Sequence, residues 1–351
     1  MISKLILKNF RCFQDFTLDG IKPVTLIAGA NNVGKSTLLE SIFLFCDRNS
    51  SDVFLRLNGF RGIQQVSLSS QMVWESLFSN MDARNEISIC LTNDNKEQAV
   101  VLSRDTSFSV SQIQDSPLPL SVQGIGTPFG NNYPLKLSYT DANNNDITHF
   151  TITAAGITLT PQKPISIVTP YVNYFSSRTS TPAQAVELFS KIEIAGNKPI
   201  FIELLKLLDD RIKDLSVTVI NGVSGIYADL GLRSRLPINV IGDGVYKLMH
   251  LVLIMLANPG AILLADEIEN GFHYTFFPKL WNIIGKLSEE TGCQIIATSH
   301  SFECINGASD LSACTDSFRF VRLDRKDEVI VPHVFDAEAF SFAVNNEWEV
   351  R

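Results

Sequence analysis

A lysine that follows a glycine and precedes a hydroxyl residue can handle phosphate if the loop around it is right. The chain carries one such stretch, Gly29-Ala30-Asn31-Asn32-Val33-Gly34-Lys35-Ser36-Thr37, which fits the spacing G-x-x-x-x-G-K-[ST]. Gly29 and Gly34 permit backbone angles and close approaches that a Cβ would block. The backbone N–H groups from Asn31 to Thr37 can then line a nest for an anion, and the helix that follows adds its unpaired N-terminal donors. In that geometry Lys35 reaches the β- and γ-phosphates of a nucleotide and the Ser36 hydroxyl ligates Mg²⁺.

Three further groups suit the same chemistry. Ile262-Leu263-Leu264-Ala265-Asp266-Glu267 is an apolar run ending in two acids. A buried strand there carries Asp266 to its C-terminal end, where α/β sheets bind ligands. Asp266 is expected to hold Mg²⁺, and Glu267 to orient and deprotonate the attacking water. Thr298-Ser299-His300 ends the next strand, which predicts His300 beside Asp266, its neutral imidazole hydrogen-bonding a γ-phosphate. Gly242-Asp243-Gly244 opens a helix and offers a second anion site. Each group also has a plainer reading: Asp266 and Glu267 as acids capping a turn, His300 as a core or capping group, Asp243 as an ordinary N-cap.

The elements that must position these residues can be read from the pattern. An apolar run at 23–28 and a long apolar stretch at 37–45 give strand, turn and helix around Lys35. From 236 onward, strand and helix alternate: helix 245–256, strand 261–265, helix 274–287, strand 294–298, a helix from about 302, and strands 317–323 and 328–332. That alternation predicts a mostly parallel core sheet covered on both faces. Residues 2–8 alternate like a strand, with a second near 16–18. Between 50 and 170, short alternating runs (86–91, 99–102, 108–113, 135–139 and 149–153) predict a β-rich antiparallel layer, with a helix near 71–78 and a loose piece at 117–134. A strand at 164–175, helices at 182–193 and 199–209, and a hairpin turning at Asn221-Gly222 form a small helical lobe. The expected division is one α/β domain over 1–351, made of a P-loop part (1–49), a β-rich insert (50–170), a helical lobe with hairpin (171–235) and a C-terminal half (236–351).

Composition narrows the class. The 351 residues are 45% hydrophobic and 19% charged, enough for a large core. Six cysteines without a C-x-x-C pair argue against a zinc site or disulfide framework and suit a reducing cytoplasm. The formal net charge of -8 disfavours a global grip on nucleic acid. The most apolar stretch, 248–265, is broken by His250, Asn258 and Pro259, so no membrane span is expected, and early lysines interrupt any signal-peptide core.

Taken together, the P-loop, the helix-opening Gly-Asp-Gly, the double-acid strand and the late histidine resemble the ABC-type ATPase heads of the RecF/SMC/OLD branch. The similarity is greatest to OLD-like AAA family ATPases without a Toprim domain, of the bacterial anti-phage type. It covers about 1–47 and 170–335, and includes Asn9-Phe10-Arg11, Asp266-Glu267-Ile268-Glu269-Asn270-Gly271 and Ala297-Thr298-Ser299-His300-Ser301. The resemblance implies a homodimer, or a larger assembly of dimers, closing head to tail around ATP and Mg²⁺. Gly242, Asp243 and Gly244 would be the signature that meets the partner's nucleotide, and Asn270-Gly271 part of the D-loop. It implies that Arg11 approaches nucleotide or DNA, with Arg178 a further candidate and Gln64, Gln65 and Gln71 as undecided Q-loop residues. Gly242 stands where relatives carry a serine, which implies slow hydrolysis. The chain has no room for a coiled-coil arm or a Toprim domain, so the resemblance places any effector, a Toprim-like nuclease or a toxin, on a separate chain. A RecF-like repair ATPase and a slow nucleotide-gated scaffold are the competing readings.

Overall fold

The structure is a computed structural model describing residues 1–63, 73–105, 133–153, 156–161, 171–175, 182–314 and 316–346. The chain opens with β1 (Ile2–Phe10), β2 (Phe13–Asp19) and β3 (Val24–Gly29). Strands β4 (Ile87–Asn93), β5 (Lys96–Arg104), β6 (Leu135–Thr140), β7 (Asn145–Thr153) and β8 (Gly156–Thr160) follow. Next come β9 (Val172–Phe175), β10 (Asp214–Ile220), β11 (Val223–Asp229) and β12 (Leu236–Pro237). The last are β13 (Ile262–Ala265), β14 (Gln294–Thr298), β15 (Phe318–Lys326) and β16 (Val329–Phe335). Contacts divide the chain into two compact units, one of Met1–Lys4, Leu18–Cys46 and Thr169–Arg351, the other of Leu5–Thr17 and Asp47–Val168.

The first unit is built on a six-stranded sheet in the order β16-β15-β3-β14-β13-β9. From β15 to β9 every neighbouring pair is parallel, and β16 alone runs antiparallel, on the edge. Parallel strands need cover on both faces, and the sequence supplies it. Helix Lys35–Cys46 buries every residue from Thr37 to Cys46; apolar all round, it is a core helix rather than a surface one. Helix Asp243–Ala257 buries ten residues, Leu248, Met249 and Leu251 to Leu253 among them. Helix Phe277–Thr291 ends at Gly292, whose φ of 67° is the left-handed stop that glycine favours. Helices Pro182–Ile194 and Lys198–Lys206 and the β10–β11 hairpin form the small lobe. The hairpin turns on Asn221 and Gly222 at φ 51° and 79°, the mirror-image turn that an Asn-Gly pair selects.

In the second unit β4 to β8 form successive antiparallel pairs, part of a seven-stranded sheet in the order β2-β1-β4-β5-β6-β7-β8. Its core is aromatic: the Phe54 ring lies 5.8 Å from Trp74 and 4.8 Å from Phe150.

The expected fold class holds, and the differences are local. The helix expected at 71–78 is, within the described residues, two 3₁₀ turns, Glu75–Leu77 and Ser79–Met81; Phe78, extended at ψ 142°, separates them, and Asn80 at φ 55° breaks helical geometry inside the second. A helix lies instead at Val53–Phe60. Its eight residues are too few to hold a helix alone, and burial of Val53, Phe54 and Leu57 anchors it. The helix from 302 is a pair of short ones, Phe302–Asn306 and Ser309–Cys314. A final helix, Ala337–Asn345, was not expected; Asp336 caps it by accepting from the Ala339 N–H at 2.8 Å. The strand expected at 108–113, most of the loose piece 117–134 and the start of the strand 164–175 lie outside the described residues.

Candidate functional site

The site is built in the first unit, at the C-terminal ends of parallel strands. β3 is buried along its whole length between β14 and β15. It delivers Gly29 at φ 141°, where a Cβ would sit 2.4 Å from the Leu323 carbonyl oxygen, so only glycine fits. The loop turns through Asn32 (φ 67°) and Gly34 (φ 91°) before the helix starts at Lys35. Asn31 and Asn32 are exposed, while Val33 and Thr37 are buried. Lys35 folds back over the loop, Nζ donating to the Gly29 carbonyl at 2.7 Å and the Ala30 carbonyl at 2.9 Å. Burial pushes its ammonium below the ordinary lysine value, against the pull of Asp266, Glu269 and Glu267. Beside the loop, the end of β15 contributes Asp324, Arg325 and Lys326 to a cavity of about 500 Å³ lined also by Ala30 to Val33. Arg325 donates to the Asn32 carbonyl at 3.2 Å.

Asp266 ends β13 and is held by three hydroxyls. Oδ1 accepts from Ser36 at 3.0 Å and from Thr298 at 2.7 Å; Oδ2 accepts from Tyr174 at 3.0 Å. Thr298 Oγ1 also accepts from the Glu267 N–H at 2.9 Å. This joins the P-loop, β13, β14 and β9 in one network.

Glu267 has φ 49°, a left-handed conformation costing a non-glycine residue about 1–3 kcal/mol. The backbone is fixed there by the Thr298 bond and by the Asn270 N–H, which donates to the Glu267 carbonyl at 3.1 Å. The result is an exposed carboxylate whose Oε2 accepts from the Asn270 side chain at 2.6 Å. Two residues on, Glu269 is 7% exposed. Its Oε1 accepts from the His300 backbone N–H at 2.9 Å and lies 2.8 Å from His300 Nδ1. Its Oε2 is buried without a hydrogen-bond partner.

This contact corrects the expectation for His300. The ring meets Glu269, and the group beside Asp266 is Thr298. A carboxylate only accepts, so Nδ1 carries the proton it shares with Glu269. With one ring proton, Nε2 is then an acceptor, and donating to a phosphate requires the imidazolium, not the neutral ring.

Helix Asp243–Ala257 starts at Gly242 with no side-chain cap. Asp243 is exposed at its first turn. The helix start packs on the loop after Glu267: a Cβ on Gly244 would lie 2.7 Å from the Gly271 carbonyl oxygen, and Gly271, at φ 84°, faces Asp243 and Lys247.

The structure thus brings Lys35, Ser36, Asp266, Glu267 and His300 together in one unit, with Gly242, Asp243 and Gly244 in that unit as well. Arg11 belongs to the other unit, at φ 51°, its N–H donating to the Leu77 carbonyl. Arg178, Gln64, Gln65 and Gln71 lie outside the described residues. Sequence reasoning missed Tyr174, Thr298 and Lys247 as site residues and gave Glu269 no role. Tyr174 and Thr298 could have been found as polar residues near the C-terminal ends of apolar parallel strands.

The donor set suits magnesium. Among the described residues no cluster of three or more His, Cys, Asp or Glu could hold a metal by itself. The Ser36–Asp266 pair offers oxygen only, and a hydroxyl with one carboxylate beside a phosphate site is how Mg²⁺ is bound when phosphate and water fill its remaining positions.

Known proteins resemble this chain in sequence and in fold. The family model described as "AAA domain, putative AbiEii toxin, Type IV TA system" matches residues 24–305. An "ATP/GTP phosphatase" of Helicobacter pylori is 25% identical over 376 aligned positions, covering 99% of both chains. The Smc head domain with an extended coiled coil, bound to the C-terminal domain of ScpA and derived from Pyrococcus furiosus, is similar with a TM-score of 0.53 and 12% identity, covering 99% of this chain and 98% of that one. An SmcHead bound to the C-winged helix domain of ScpA gives 0.51 at 13% identity, over 95% and 97%. These two likenesses concern the fold. Among the described residues, no helix is long and apolar enough to cross a membrane.

Proposed function

Because the chain belongs to the AAA-domain family whose model it matches and is a P-loop ATPase, we propose that it works as an ATP-gated, head-to-tail homodimer. In this reading it controls a separate effector, a nuclease or toxin, in bacterial anti-phage defence, and its two units act as one ABC-type head. The carrying observation is the convergence of Ser36, Asp266, Glu267 and His300 at the ends of neighbouring strands.

In this reading the loop N–H groups and Lys35, released from the Gly29 and Ala30 carbonyls, take the β- and γ-phosphates of ATP. Ser36 and Asp266 would hold Mg²⁺, which when bound offsets phosphate charge. Glu267, held by Asn270, orients a water and takes its proton as the water oxygen bonds to the γ-phosphorus; the bond from that phosphorus to the ADP oxygen breaks. His300, steadied by Glu269 at Nδ1, donates from Nε2 to the γ-phosphate when the ring carries both protons. The uncapped helix start at Gly242-Asp243-Gly244, half-buried but for the exposed Asp243, supplies donors to the nucleotide of a second copy. A serine hydroxyl is missing there, which favours slow turnover and keeps a nucleotide-gated scaffold as the second reading. The net charge of -8 weighs against a RecF-like repair role, in which DNA would be the ligand. Support for defence is the family description, which names a toxin and a toxin–antitoxin system.

Mass measurement in solution tests the dimer. The Glu267→Gln variant with ATP and Mg²⁺ is expected at twice the 38.9 kDa chain mass, and Lys35→Ala at the single mass under every condition. A Glu267→Gln variant that stays monomeric with ATP contradicts the reading. Co-expression with the neighbouring open reading frame tests the effector: a complex whose nuclease or toxic activity ignores ATP contradicts it.

A further inference from the structure

Lys247 is the one cation of helix Asp243–Ala257, and it points inward. The residue is 8% exposed, and its Nζ is buried without a hydrogen-bond partner. Its stem lies against the loop after Glu267: a Cβ on Gly271 would be 3.4 Å from Lys247 Cδ. The charges facing its ammonium are, in order of strength, Glu269, Glu267 and Asp243. Glu269 is itself buried, with Oε1 engaged by His300 and Oε2 unpartnered. Two opposite charges, each taken out of water and each short of a hydrogen bond, are thus buried in the same unit, Lys247 on the helix that packs on the loop and Glu269 two residues before Gly271 of that loop. Burying an ammonium without a partner is a heavy cost that packing alone would answer with an apolar side chain. Lys247 sits one turn below Asp243 on the same helix face, so any shift of the helix start moves it.

We propose that Lys247 is a positioning residue for hydrolysis. The field of its buried ammonium holds the Glu269 carboxylate, and to a lesser degree that of Glu267, in the charged form and in place, and through Glu269 it steadies the ring of His300. The signature turn of one head is thereby joined mechanically to the hydrolytic groups of that same head. The inference rests on the roles given above to Glu267 and His300.

The test uses the full chain with ATP and Mg²⁺, reading kcat, KM and melting temperature. Lys247→Met keeps the stem and removes the charge. It is expected to lower kcat by about twentyfold while KM stays within about twofold. Its melting temperature is expected to fall, since the Glu269 carboxylate then stays buried without a counter-charge. Lys247→Arg keeps the charge and is expected to recover kcat to within about fivefold of the parent. Lys247→Met combined with Glu269→Gln is expected to fall no further than the slower single variant. A purely structural lysine lowers the melting temperature in the same way but leaves kcat unchanged. A Lys247→Met kcat within about twofold of the parent, or fully additive losses in the double variant, overturns the proposal. Glu267→Gln separates the two readings. If it abolishes turnover while Lys247→Met does not, only the Lys247 inference fails. If Glu267→Gln turns over normally and Lys247→Met is slow, the assignment of the base fails and the link through Glu269 to His300 stands.

Discussion

Thr298 gives the clearest prediction at the scale of single residues. Its hydroxyl donates to Asp266 and accepts from the Glu267 N–H, so one small group orients together the carboxylate proposed to hold magnesium and the backbone of the proposed base. Thr298→Val keeps the shape, removes both bonds and leaves a polar N–H without a partner. Bonds to charged groups contribute about 1.5–3 kcal/mol, so the variant is expected to lose at least about tenfold in kcat. Steady-state phosphate release measures it. Tyr174→Phe removes only one of three hydroxyls from Asp266, and its expected loss is smaller. Kcat values in the opposite order would place the weight on β9 rather than β14. Glu269 and His300 show the same economy: one buried carboxylate oxygen receives both the backbone N–H and the ring of His300, which decides the ring edge left for phosphate.

At the scale of elements, the helix Asp243–Ala257 couples the site to the core. His250, 2% exposed, lies within it with its ring 4.6 Å from that of Tyr246. Burial pulls its value from 6.5 down to about 4. The unfolded chain therefore takes up the proton first as pH falls, and the stability present above pH 6.5 is lost as pH drops toward 4. The size is at most about 3 kcal/mol. Denaturant unfolding at several pH values should show a steeper loss across that window in the parent than in His250→Phe; equal slopes would contradict the buried neutral ring. Gly244→Ala is expected to slow turnover by at least about tenfold, because its Cβ would meet the Gly271 carbonyl oxygen at 2.7 Å and push the helix start off the loop. Much of this architecture was legible in the sequence. β14 lies at Gln294–Thr298 as the apolar run predicted, and the Asn221-Gly222 hairpin followed from local turn chemistry. Helix Val53–Phe60 was not legible, because its two turns depend on the aromatic contacts of Phe54 with residues far along the chain. The Lys247–Glu269 relation was hidden for the same reason: two charged residues in sequence look solvated until packing buries them.

At the scale of the molecule, the parallel sheet presents the P-loop, the Asp266–Glu267 pair and His300 on one edge of one unit. The chain is a P-loop ATPase of the AAA-domain family, and the proposed function places nucleotide binding and hydrolysis in different residues at these strand ends. In the proposed function Lys35 and the glycine loop bind ATP and Glu267 activates water. The most direct test measures both quantities on the same samples, ATP affinity by titration calorimetry and single-turnover hydrolysis by release of labelled phosphate. Glu267→Gln is expected to bind ATP within about threefold of the parent while hydrolysing it at least about a hundredfold more slowly, and Lys35→Ala to lose binding itself. Glu267→Gln hydrolysing ATP at the parent's rate would contradict the account.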